Sequence, residues 1–305
     1  MLRYFDKMLK NFIHPIKYSF KVAIKNPLQL MAELSADINK DISAKNYNSP
    51  HKLVWCAGLP KSGTTMVEKI LNDMPYVQVN MSPIRRYSET GIVHPHDICE
   101  DMFKYLPKNK YSFLKTHTHY KDTFLELSKK YNARIIVSLR DLRDMLISNY
   151  FHIMSNPKQW EYDELKHLNT KEGFKRSLIL SNEKISNQTI IEYYYYWIKN
   201  WMTVARENNF LILWYEDYKK DPLSYINSIV NYLEFSQFDA KKIEENLSSL
   251  RLNQAGKLSK NLNNVGKKVS TYNINSRSSY LNFFDDDINN FFNNNLPEPL
   301  ESILR

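Results

Sequence analysis

The sequence predicts an α/β fold: a largely parallel central sheet of about five strands, flanked by helices on both faces. Three observations predict it. Short apolar runs alternate with longer segments of helical period along the chain. A glycine-framed turn, Gly58 to Gly63, stands between the first such run and the first such helix. The chain has 305 residues, 43% hydrophobic and 13% aromatic, enough for a sizeable core.

Residues 1–50 read as an N-terminal extension with helical pieces and a polar linker, and residues 51–305 as the main domain. Pro27 can open a helix through "LQLMAELSADINKDI", and "SAKNYNSPHK" is the linker. The first 27 residues are basic with interleaved Phe, Ile, Leu and Tyr, but lack a continuous apolar stretch and a small-residue cleavage site. No signal peptide is read there. A helix or tail packed on the domain is the expectation, and weak contact with a membrane surface is its alternative. No run is apolar for long enough to span a bilayer.

The first core element is "KLVWCAG", ending at Gly58. After the turn, "TMVEKILNDM" places Met66, Ile70 and Met74 on one helical face. Further strand candidates are "YVQVN", "YSFLKT", "RIIVSLR" and "FLILWY". A helix is expected from Asp141 to Met154, a long one through "IIEYYYYWIKNWMTVAREN", and a short one from about Asp285. In the long helix Tyr193, Trp197 and Trp201 form a stripe read as core.

The formal net charge of +9 suits a polyanionic ligand, an acidic membrane surface or nucleic acid. No nucleic-acid reading motif appears, so no nucleic-acid partner is expected. Two cysteines, Cys56 and Cys99, make neither a disulfide framework nor a zinc quartet. Cys56 reads as a buried core thiol. Two thiols fit a reducing compartment, and the expectation is a cytoplasmic protein.

Three constellations carry chemistry, all at the carboxyl ends of candidate strands, where parallel sheets bind ligands. The turn "GLPKSGTT" has the glycine spacing of a P-loop, but Thr64 and Thr65 follow Gly63 where a Walker loop has its lysine. The nearest lysine is Lys61, inside the loop. Backbone N–H groups at such a turn make an anion nest, and Lys61, Ser62, Thr64 and Thr65 add donors. Without the Walker lysine the loop suits a shorter phosphate chain. In "RIIVSLRDLRDMLISNYFH", Arg140 ends a strand and Ser148 follows eight residues later on a helix. Arg140 can offer a planar fork to a second phosphate, or pair with Asp141 or Asp144. In "FLKTHTHY", Lys115 and His117 stand at a strand end, placed for electrophilic stabilisation and general-base work. The H-x-H pairs, His117 with His119 and His94 with His96, lack a supporting ligand pattern for a metal.

With these residues in view, the chain resembles the P-loop sulfotransferase family, which uses 3′-phosphoadenosine 5′-phosphosulfate (PAPS) as sulfuryl donor and releases the bisphosphate PAP. "PKSGTT" resembles the family's 5′-phosphosulfate loop. Arg140 and Ser148, with "RDLRD", are similar to its 3′-phosphate site. "KTH" at Lys115 to His117 resembles its catalytic lysine and histidine segment. "WYEDYKKDP" resembles "YEDxxxDP", whose tyrosine, here Tyr215, lies by the adenine. The resemblance implies that Lys61 and Lys115 neutralise charge as the S–O bond breaks, that His117 is the base, and that no metal takes part. It implies that Met66 stands where many relatives stack a tryptophan on adenine. The family's C-terminal "RKGxxGDW" is reduced here to "RSSYLNFF", with Arg277 as the surviving 3′-phosphate residue. The family's short dimerisation motif is not recognisable near 267–276. Implied partners are a small-molecule, carbohydrate or lipid acceptor, "RDLRD" leaning slightly toward the latter two. The rival readings are a P-loop kinase and a nucleotide-binding interaction protein without catalysis.

Overall fold

In a computed structural model of the chain, residues 49–78, 100, 111–182, 186–235, 237–249 and 280–303 are described. The expectations for the N-terminal extension, Cys99, His94, His96 and Arg277 lie outside them.

Five strands form one wholly parallel sheet: β1 (Leu53–Gly58), β2 (Val77–Gln78), β3 (Ser112–Thr116), β4 (Ala133–Leu139) and, later in the chain, β7 (Leu211–Trp214). The spatial order is β2-β3-β1-β4-β7, so β1 is central. The register aligns the carboxyl ends: Cys56 faces Lys115, Gly58 faces Ser138, and Leu139 faces Trp214. This brings three of the expected motifs to one edge.

Every residue of β1 is buried. Trp55 and Ala57 join one core cluster with Ile135, Val137 and Leu139 of β4; Val54 and Cys56 join another with Ile136. Successive strand residues thus feed opposite cores, which is what a parallel sheet covered on both faces requires. Helices α1 (Thr64–Asp73), α8 (Pro222–Tyr232) and α9 (240–249) cover the second face. Helices α2 (Asp122–Lys130), α3 (Leu142–Met154), α5 (Thr170–Ile179), α6 (Ile190–Glu207) and α10 (Asp286–Asn294) cover the first. The short α4 (Tyr162–Leu165) and α7 (Tyr215–Lys220) complete the set described here.

Within the described residues, the expected strands and helices fall where the apolar period puts them. The sequence pattern did not indicate a small antiparallel hairpin, β5 (Ser181–Asn182) with β6 (Ser186–Thr189), leading into α6. Thr189 then caps α6 in a capping box with Glu192. Trp197 and Trp201 of α6 are fully buried, as the stripe implies. Among the described residues no helix is long and apolar enough to cross a membrane.

Candidate active site

The loop from Gly58 to Gly63 curls tightly over the end of β1. A Cβ on Gly58 would stand 2.4 Å from Thr64 Cγ2 and 3.0 Å from the Ser138 carbonyl, so only glycine permits this closeness. Lys61 and Gly63 both take positive φ, 73° and 100°. At Lys61 that backbone is uncommon for a residue with a side chain and marks a shaped turn. Ser62 N–H is spent on the Leu59 carbonyl at 3.1 Å, and the Ser138 hydroxyl donates to the Ser62 carbonyl at 3.0 Å. No side chain caps α1, and its first turn has no acidic residue. The helix therefore presents unpaired N–H groups and positive dipole to whatever lies above the loop. Ser62 Oγ is buried without a hydrogen-bond partner. Thr64 is buried and Thr65 exposed.

Arg140 follows β4 and lies against this loop. Its Nη1 donates to the Lys61 carbonyl at 3.4 Å, and its Nη2 meets Asp144 Oδ2 at 3.5 Å. Both contacts are long, and Nε is buried with no partner. The ion pair with Asp144 foreseen as an alternative is present, yet it leaves donor capacity on the guanidinium. Asp144 Oδ1 also accepts from Tyr280 N–H at 2.6 Å, which ties the C-terminal segment to α3. Arg143 packs over the Tyr280 ring at 3.4 Å and forks onto Asp141, the N-cap of α3. Asp144, half-buried Ser148 and His152 follow at four-residue spacing on one helical stripe.

Tyr215 joins loop and fork. The Arg140 guanidinium stands 5.3 Å over its ring. A Cβ on Gly63 would lie 2.9 Å from Tyr215 Cδ2. Glu216 accepts from Asp141 N–H at 3.3 Å, and burial raises its carboxyl above the usual range. Met66 is 4% exposed and belongs to the core behind α1, with Ile70 and Met74.

The segment after β3 completes the site. His117 Nδ1 is hydrogen-bonded to the Gly58 carbonyl. A carbonyl only accepts, so Nδ1 carries the proton and Nε2 keeps its lone pair. Trp197 and Trp201 both donate their indole N–H to the Thr118 carbonyl, at 2.6 and 3.0 Å, and so pin the loop behind His117. Lys115 Nζ is 2.6 Å from Glu68 Oε2 of α1. His119 packs edge-on to Tyr193 at 4.1 Å between centroids. Thus Lys61, Ser62, Gly63, Thr64, Thr65, Arg140, Tyr215, Lys115 and His117 gather at one sheet edge.

The family model described as sulfotransferase domain matches residues 51–298. The chain belongs to the sulfotransferase family. The kinship with PAPS-dependent sulfotransferases drawn from four short motifs therefore holds. A flavonol 3-sulfotransferase of Flaveria bidentis is 22% identical over 286 residues, covering 86% of this chain and 84% of that one. Sulfotransferase 2A6 of Mus musculus is 28% identical over 134 residues, covering 39% and 42%. The crystal structure of mouse sulfotransferase SULT7A1 complexed with PAP shares the fold, with a TM-score of 0.56 at 16% identity, covering 85% of this chain and 90% of that one.

Positive charge crowds the loop of this candidate site. Burial and the Arg140 charge hold the Lys61 ammonium below its usual range. Burial and the Lys61 charge do the same to the His152 imidazole. An anion at the loop would relieve both effects. The sequence reading missed Glu68, Ser138 and Asp144's second bond. Ser138 had a signal, as the one hydroxyl in the apolar run "IIVSL". Glu68 had none, since its partner is 47 residues away.

Proposed function

We propose that this sulfotransferase transfers a sulfuryl group from PAPS to a hydroxyl or amine of a small-molecule, carbohydrate or lipid acceptor, in line and with His117 as base. The observation that carries the reading is the His117–Gly58 hydrogen bond. It joins the expected base to the first residue of the phosphate loop and, by keeping the proton on Nδ1, makes Nε2 the basic nitrogen.

The residues present fit PAPS. The uncapped start of α1, the orphaned Ser62 hydroxyl and Lys61 suit its 5′ end. The spare Nε of Arg140 and the Ser148 hydroxyl suit a separate 3′-phosphate. Tyr215, beside both, is placed for the adenine, and Met66 supports it only from the core side. The PAP complex of mouse SULT7A1 and the flavonol-acting relative support donor and acceptor class. Bound there, PAPS supplies an activated sulfuryl group.

In the transfer the acceptor oxygen or nitrogen forms a bond to sulfur while the bond from sulfur to the bridging oxygen breaks. His117 Nε2 takes the acceptor's proton. Lys61 and Lys115 stabilise the electron pair left on the departing phosphate oxygen. This is catalysis by positioning and preorganised charge.

The test is a panel of hydroxyl- and amine-bearing acceptors with sulfur-labelled PAPS, read by mass spectrometry, followed by variants on the best acceptor. His117→Ala should lose roughly a hundredfold to ten-thousandfold in turnover, with PAP binding and melting temperature retained. His119→Ala should be far milder. Near-normal turnover in His117→Ala, or a loss explained by unfolding, would remove His117 as the base.

A further inference from the structure

We propose that Glu68 is the resident counter-ion of Lys115, a positioning residue that holds the ammonium at the loop and yields it to the donor's 5′ group. The proposal rests on the reading of the site given above. Its observation is the 2.6 Å ion pair from the second turn of α1 to the end of β3, with side chains 23% and 24% exposed.

The surroundings explain why a carboxylate is needed there. Lys115 lies opposite Cys56 in the sheet, and Cys56 is fully buried. The ammonium therefore has an apolar floor. Lys61 and Arg140 add two further positive groups at the same sheet edge, and burial together with the Arg140 charge already depresses Lys61. A further cation left unneutralised beside them would be costly in this half-dry setting. Glu68 offsets it and fixes a flexible side chain in one direction.

The pairing also shapes what the site rewards. In the free protein the Lys115 charge is shared with Glu68, so a ground-state ligand must compete for it. As negative charge grows on the bridging oxygen, that competition tilts toward the reacting group. Interactions that strengthen in this order favour the transition state over the bound donor. A strut that merely joined α1 to β3 would have no such effect on ligand affinity.

The test uses PAP, so it needs no acceptor. Calorimetry compares wild type, Glu68→Gln, Lys115→Met and the double variant, with thermal melting as a folding control. Glu68→Gln should bind PAP roughly five- to twentyfold more tightly, the scale of one half-buried charged contact. In the Lys115→Met background the same change should shift affinity less than about twofold. Glu68→Ala, which keeps helix propensity, gives the same comparison if Gln melts early. Weaker or unchanged PAP binding by Glu68→Gln overturns the proposal. Equal tightening with and without Lys115 also overturns it, because that is a long-range field and not a counter-ion. Failure of the wild type itself to bind PAP would instead sink the reading of the site, and this inference with it.

Discussion

Replacing Arg140 by Ala separates a ligand-binding role from a structural one. The guanidinium is 10% exposed and makes two long contacts, 3.4 Å to the Lys61 carbonyl and 3.5 Å to Asp144. Its Nε has no partner. A 3′-phosphate on this fork gains charge-assisted bonds worth about 1.5–3 kcal/mol, or roughly 10- to 150-fold in affinity. The substitution also costs stability. Breaking a well-formed buried pair costs about 3–5 kcal/mol, but this pair is loose, and Asp144 keeps its 2.6 Å bond from Tyr280 N–H. The loss should fall below that range. The assay is calorimetry of PAP and of adenosine 5′-phosphosulfate, which lacks the 3′-phosphate, on wild type and variant. Stability effects are common to both ligands, so the ratio isolates the fork. PAP affinity should fall by the stated factor while the other ligand hardly changes. An equal loss for both would show that Arg140 serves the fold through Asp144 and would refute the assignment.

Two further predictions follow from the loop and from His119. Gly63→Ala must hold φ at 100° with its Cβ 2.9 Å from Tyr215 Cδ2, a strain of about 1–2 kcal/mol before the ring shifts; PAP affinity should drop at least about tenfold with the fold retained, and wild-type affinity in this variant would disprove the loop's role. Burial lowers the His119 imidazole to about 4, so the unfolded chain takes up a proton that the folded one resists. Its contribution to stability is complete above about pH 6.5 and falls as pH drops from about 6.5 to about 4, by roughly 2–4 kcal/mol. Denaturant titrations of wild type and His119→Phe across that window should show a flatter profile for the variant, and parallel profiles would contradict this.

The sheet and its phosphate loop were legible because several physical signals coincide there. β1 and β4 are apolar at nearly every position since both faces are covered, and Gly58 and Gly63 mark a turn that tolerates no Cβ. The short helix expected from about Asp285 is present, and the structure adds its cap: Asp285 accepts from Ile288 N–H. The hairpin Ser181–Thr189 was not, because its polar residues carry no strand pattern and its pairing includes a register shift. Of the site, the residues at strand ends could be named, but their partners could not. Asp144 was named only as a partner of Arg140, while its bond to Tyr280 joins residues 136 apart. Met66 shows the limit from the other side. The four-residue period with Ile70 and Met74 that identifies α1 is the same period that sends Met66 into the core.

The central claim is that this chain's phosphate loop and Arg140 together hold a nucleotide with separate 5′ and 3′ anionic groups. The most direct test is calorimetry of PAP without added metal, against ATP with and without magnesium. PAP should bind tightly without metal and ATP much more weakly, because ATP lacks a 3′-phosphate for Arg140 and finds no Walker lysine after Gly63. Preference for ATP, dependent on magnesium, would contradict it and favour a phosphoryl-transfer site.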